Sequence, residues 1–273
     1  MSIATILVPL TGAEEVARLL ETAIELAANL DAHVTGMAVR RQVLLPVYSM
    51  DVMPQAVFDQ FEQQEDERLA GLHRQFETAM RTADWKARSD WRVFAGPLAA
   101  AIAEAGRYAD LILLGQAPEE NVTDDVASLA GDLVMAASTP ILMVPRIGAR
   151  PVLAGEALVA WNGGREAARA LRDALPLLTR MRKVTLVTVG GDAAETGEPA
   201  AAFLARHGLP VTLLREPATD LDPADVMLNL AAERDARLIV IGAYGHSRLR
   251  EFVLGGTTRM MLHHMTVPLL LSR

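Results

Sequence analysis

The chain has 273 residues, enough for one large domain or two of ordinary size, and 51% of them are hydrophobic, which supports a substantial core and argues against disorder. A net charge of −8 gives no field that would attract a polyanion, and no dense Lys/Arg patch interleaves with aromatics, so nucleic acid is not an expected partner. Cysteine is absent, which removes disulfides, thiolate catalysis and cysteine metal sites together, and no apolar run is long enough to span a bilayer; the expected setting is the cytoplasm, away from membranes.

Strand-length apolar runs alternate along the chain with stretches of helical period, the pattern of a parallel sheet flanked by helices. The first half predicts strands at TILVPL, HVTGMAV, RSDWRVF, LILLG and PILMV. Its first helix, from about Ala13 to Asn29, sets Val16, Leu19, Leu20, Ala23, Ile24 and Ala27 on one face. Between the second and third strands, Arg40 to Ala83 holds a proline-bearing loop, LLPVYSMDVMP, and then a long charged helix containing FEQQEDERLAGLHRQFETAM. Leu69, Leu72, Phe76 and Met80 form an apolar stripe on it, read as a surface helix packed by one face, with a partner-binding surface as the rival reading. Glu62, Glu65, Asp66 and Glu67 read as its solvated side. The stretch IGARPVLAGE, Ile147 to Glu156, is dense in Gly and Pro and marks a joint.

The second half repeats the series, with strands at ALVAW, KVTLVTV, PVTLL, RLIVIG and PLLLS and helices near Arg165 to Leu178, Ala194 to His207 and Pro223 to Asp235. ADLILLGQAP, from Ala109, echoes ARLIVIGAYG, from Ala236. The chain is therefore read as a tandem duplication with domains at 1–147 and 155–273.

The stretch GAYGHSRLREFVLGGTTRMM, Gly242 to Met261, spaces its glycines after a strand and before a helix, which suggests an anion cradle. Gly242 and Gly245 allow a tight turn, Gly255 and Gly256 open their amides at the helix start, and Thr257 and Thr258 add hydroxyl donors. The rival reading is a turn and helix start with no ligand. His246 and Arg248 either reach a phosphate or are solvated. GxxxxGK[ST] is absent, as is GxGxxG after a strand, so P-loop and dinucleotide readings fail. In the first half Gly115 remains, but Pro118 stands at the second glycine position and Ala127 and Ser128 at the later pair. Glu119, Glu120, Asp124 and Asp125 crowd the same place, so this copy is expected to bind no nucleotide. His263 and His264 are adjacent and point about 100° apart on a helix, which suits a helix C-terminus better than a metal site.

These features resemble the universal stress protein family, and the resemblance spans both halves. Gly242, Gly245 and Gly255 match its spacing of Gly, two residues, Gly, nine residues, Gly after a fourth strand. The openings ILVPL and LVAWNGG and the Thr-Pro or Val-Pro before each last strand resemble it as well. The resemblance implies two doubly wound five-stranded parallel sheets of strand order 3-2-1-4-5, of the adenine nucleotide alpha hydrolase-like type, packed as an internal pseudo-dimer through PILMV and PLLLS. It further implies ATP, or ADP or AMP, with magnesium as an accompanying ion, held by Asn162, Val189, Gly242, Gly245, Gly255, Gly256, Thr257 and Thr258. Asn162 stands where the family has an Asp that contacts adenine, Val189 at the strand-2 position whose backbone reads the base, and Gly256 where Ser is commonest. Thr11 replaces the strand-1 Asp of the first copy, and Trp161 either stacks on a base or fills the sheet end. The HIGH-type motif of related nucleotidyl-transfer enzymes is absent, and neither a catalytic residue nor a metal ligand is assigned. The expected function is adenine-nucleotide binding in the second copy with a stress-response or regulatory role, slow ATP hydrolysis at most, a protein partner and a homodimer of chains. The alternatives are a nucleotide-free interaction or scaffold protein and, third, a nucleotidyl or phosphoryl transferase.

Overall fold

The computed structural model describes residues 2–12, 15–41, 55–116, 125–147, 151–217, 222–243 and 256–273. The first half runs β1 (Thr5–Pro9), α1 (Val16–Leu30), β2 (His33–Arg40), α2 (Gln55–Thr82), β3 (Ser89–Ala95), α3 (Leu98–Gly106), β4 (Leu111–Gly115), α4 (Asp125–Ala136) and β5 (Ile141–Val144). The second runs β6 (Glu156–Ala160), α5 (Arg165–Asp173), α6 (Leu175–Leu178), β7 (Lys183–Val189), α7 (Gly191–Arg206), β8 (Val211–Glu216), α8 (Pro223–Glu233), β9 (Leu238–Gly242), α9 (Gly256–His264) and β10 (Leu269–Ser272).

Alternation explains why these strands read as unbroken apolar runs. Ile6, Val8, Leu111, Leu113, Leu142, Leu238, Val240 and Leu270 enter one core, and their neighbours Leu7, Ile112, Leu114, Ile141, Ile239, Ile241, Leu269 and Leu271 enter a second. Each of these central strands is covered on both faces, as parallel sheets require. The first core takes side chains from α1, α2, α5, α6 and α7, and the second from α3, α4, α8 and α9.

All ten strands belong to one sheet of order β3-β2-β1-β4-β5-β10-β9-β6-β7-β8. Read from its outer edge, each half has its first strand between its second and fourth. Within each half the pairs are parallel, whereas β5 and β10 pair antiparallel with Leu270 opposite Leu142. The halves thus share a continuous sheet instead of presenting two separate ones, and each last strand covers the edge of the other.

Two local features depart from the sequence pattern. The helix expected from Arg165 to Leu178 is two helices meeting at Ala174. Pro176 has no N–H to give to the carbonyl of Arg172, and its ring crowds that carbonyl, so the ladder breaks. The stretch entering β6 is also tied down, because the N–H groups of Val152 and Leu153 donate to the Glu25 carboxylate on α1 at 3.0 and 3.3 Å.

The apolar stripe of α2 is buried at Leu69, Leu72, Phe76 and Met80, while Phe61, nearer its start, is 43% exposed. Gly36 on β2 makes room for it: a Cβ there would lie 2.6 Å from the Phe76 ring and 2.8 Å from Trp91. The outer edge at β3 carries charge, since Asp90 accepts from Thr35 Oγ1 at 2.7 Å, from Arg92 Nε at 2.8 Å and bonds His33 Nε2 at 2.9 Å. Burial alone would raise the Asp90 carboxyl, but these three partners outweigh it and hold it below the usual carboxylate range. A charged edge of this kind deters pairing with another chain.

Thr188, fully buried on β7, has a hydroxyl without a hydrogen-bond partner. Thr188→Val keeps the shape and removes the unpaired group, so it is expected to stabilise the protein by about 1 kcal/mol. An unchanged or lower midpoint in urea unfolding would contradict this.

Candidate functional site

The candidate site lies at the C-terminal ends of β6 and β9. The chain leaves β6 for β7 on one side and leaves β9 for β10 on the other, so the connections part between them. In an open α/β sheet that reversal opens a crevice beyond the strand tips. The registered pairs of β6 and β9 end at Val159 and Val240.

The first turn of α5 forms the floor. A Cβ on Gly242 would overlap the carbonyl carbon of Glu166 and the amide nitrogen of Ala167, and would stand 2.7 Å from the Glu166 oxygen. The missing side chain at Gly242 is therefore what lets α5 close on the tip of β9. Gly242 itself remains in the sheet, opposite Ser272 of β10.

Asn162 is exposed on the β6 side. Its Oδ1 accepts from the Gly164 N–H at 2.9 Å, closing a turn that runs through Gly163 at φ 75° into the N-cap of α5. One of the two acceptor positions of the Asn162 Oδ1 is thus engaged by the loop. Trp161 is partly buried and packs on the first core, while its main-chain N–H donates to Val187. Since Val187 directs its carbonyl to the β6 side, the two-residue repeat of the strand aims the main chain of Val189 to that same side, beyond the end of β6.

Gly256 and Thr257 open α9. Thr258 is 6% exposed, so its side chain belongs to the interior. Gly245, Gly255, His246 and Arg248 lie outside the described residues. His263 and His264 close α9, where positive charge favours the helix dipole. No described helix is long and apolar enough to cross a membrane.

Sequence reasoning passed over Glu166. Its side chain is buried beside the crevice, with Oε1 3.0 Å from Arg165 Nη2. A signal was present: setting ILVPLTGAEE against ALVAWNGGRE places Glu15 and Glu166 at the same position. In the first half the Glu15 carboxylate lies directly over Gly115 at the tip of β4, where a Cβ would overlap it. Nearby Arg18 is lowered by burial, against the pull of Glu15. Pro118, Glu119, Glu120 and Asp124 lie outside the described residues.

The model of the universal stress protein family matches the chain over residues 3–145 and 218–273. Among solved structures, a universal stress protein from Archaeoglobus fulgidus superposes with a TM-score of 0.74 at 16% identity, covering 98% of this chain and 96% of its own. A candidate universal stress protein from Pseudomonas aeruginosa gives a TM-score of 0.60 at 19% identity, over 99% of this chain and 93% of its own. At these identities the likeness establishes the fold. No curated protein matched the chain.

Proposed function

Because the chain belongs to the universal stress protein family, we propose that its second half binds one ATP, or the related ADP or AMP, and that occupancy biases its conformation or its partners in a cytoplasmic stress response. The observation that carries this reading is the opening of α9 after β9, at the point where the connections of the second half part. Helix N-terminal amides aimed into such a crevice suit phosphate oxygens.

In this reading the amides of Gly245, Gly255 and Gly256 hold the phosphates. The hydroxyl role falls to Thr257, because Thr258 is inside. The Asn162 amide and the Val189 main chain meet the base. Glu166 is the described carboxylate of the crevice and is already paired with Arg165, so these residues do not form a magnesium cage. In this reading hydrolysis is slow at most. The first half binds no nucleotide, domains 1–147 and 155–273 act as one pseudo-dimer, and further association, as a homodimer or with a protein partner, uses outer surfaces.

A second reading, a nucleotide-free interaction protein, is favoured by two observations. The Asn162 Oδ1 is engaged by its own loop, and the Glu166 carboxylate, although paired with Arg165, sets negative charge beside the crevice.

Thermal unfolding with and without ATP decides between them. A ligand at a hundredfold excess over Kd adds about 2.7 kcal/mol of apparent stability. Gly245→Val is expected to abolish that shift with an unchanged circular dichroism spectrum, and calorimetry should give one nucleotide per chain. No shift in the parent protein at millimolar ATP would leave the second reading standing.

A further inference from the structure

We propose that Gln116, in the first half, is a positioning residue that sets the pose of α9 and through it the nucleotide affinity of the second half; this rests on the nucleotide reading above. Gln116 follows the tip of β4. Its side-chain Nε2 donates to the carbonyls of Leu262 at 3.1 Å and His263 at 2.9 Å, on the far side of the junction between the halves. Both carbonyls belong to the last turn of α9, where a helix takes its C-terminal cap. The first half thus supplies the C-terminal cap of a helix that belongs to the second.

Gln116 is itself held in place. Its main-chain N–H donates to Val144 at 2.8 Å, and its Oε1 accepts from the Arg146 N–H at 2.9 Å. An acceptor facing an N–H fixes which end of the amide is oxygen, so the NH₂ end must face α9. A nine-residue helix is about 14 Å long and moves as a rod, so its far end, at Gly256, follows any shift of the capped end. Hydrogen bonds from amides to phosphate tolerate displacements of only a few tenths of an ångström.

Among the described residues the cap is made in one direction only. Ala243 is the counterpart of Gln116, since its N–H donates to Ser272 of the last strand as Gln116 does to Val144. Alanine has no group with which to reach α4. Near the end of α4 the halves are instead joined by Arg169, whose Nη2 donates to the Ser138 carbonyl at 3.1 Å. A half that has lost its own glycine pattern therefore still holds the helix that carries the glycine pattern of the other.

Three variants test this: Gln116→Met, which keeps length and loses both bonds to α9 together with the one accepted from the Arg146 N–H; Gln116→Glu, which keeps an acceptor for Arg146 and sets a carboxylate against two carbonyls; and Arg169→Ala, which cuts a junction bond that does not touch α9. ATP affinity by calorimetry and hydrogen exchange over residues 256–264 are measured in each. Gln116→Met is expected to raise the Kd for ATP about tenfold, the equivalent of one to two ordinary hydrogen bonds, and to speed exchange in α9. Gln116→Glu should do both to a greater degree, and Arg169→Ala should leave both within twofold of the parent. The proposal is overturned if Gln116→Met and Gln116→Glu leave Kd and exchange unchanged, or if Arg169→Ala matches them, which would indicate general loosening of the junction. If the parent protein binds no ATP, the nucleotide reading fails on its own; exchange in α9 still decides the positioning role, unchanged rates refuting it.

Discussion

Replacing Gly242 with alanine is expected to cost about 3 kcal/mol of stability, at the upper end of what overpacking usually costs. The added carbon would overlap the main chain of Glu166 and Ala167, and a main chain cannot rotate out of the way as a side chain can. Either α5 withdraws from the tip of β9 or β9 shifts within the sheet. Both open the crevice, so nucleotide affinity should fall together with stability. Gly12→Ala is the matched comparison, because nothing lies within 4 Å of a Cβ there. Urea unfolding should show a large fall in midpoint at unchanged slope for Gly242→Ala and almost none for Gly12→Ala. A loss under 1 kcal/mol at Gly242 would mean that α5 slides freely, and the description of the crevice floor would be wrong.

Phe76→Ala is expected to cost 3 to 5 kcal/mol, in the range of buried aromatic truncations. Phe76 is 2% exposed and sits over Gly36, with its ring centroid 5.5 Å from that of Trp91. Its loss leaves a cavity over Gly36 and loosens the C-terminal half of α2 on the sheet. Trp91, stacked on His73 at 5.3 Å, should report the change as altered fluorescence. The exposed Phe61 on the same helix should tolerate alanine within about 0.5 kcal/mol. If the two truncations cost the same, α2 is not anchored through its apolar stripe.

Much of the architecture was legible because burial on both faces writes itself into the sequence. LILLG and RLIVIG cannot be solvated on either side, and their repetition in matching surroundings exposed the duplication. The break at Ala174 was legible in principle from Pro176. A proline alone does not decide, however, since α7 continues through Pro199. Breaking a helix at proline depends on whether packing repays roughly 3 kcal/mol, and that packing comes from distant parts of the chain.

The site was read less completely, for the same reason. Gly242 drew attention as a strand-end glycine, but the contact that forbids a side chain there comes from Glu166 and Ala167, remote in sequence. Thr258 was counted as a donor from its neighbours, and only the third dimension turns it inward. Gln116 carried no local signal, because the carbonyls it caps lie at the other end of the chain.

The antiparallel seam of β5 and β10 has one more consequence. An assembly of identical subunits about a two-fold axis repeats every contact, so a substitution on one side of its seam is forced on the other. Covalent joining of the two copies lifts that constraint. Glutamine can stand at 116 where the equivalent position, 243, is alanine, and one glycine loop can erode while its twin is kept, within a scaffold whose backbone still follows the old symmetry.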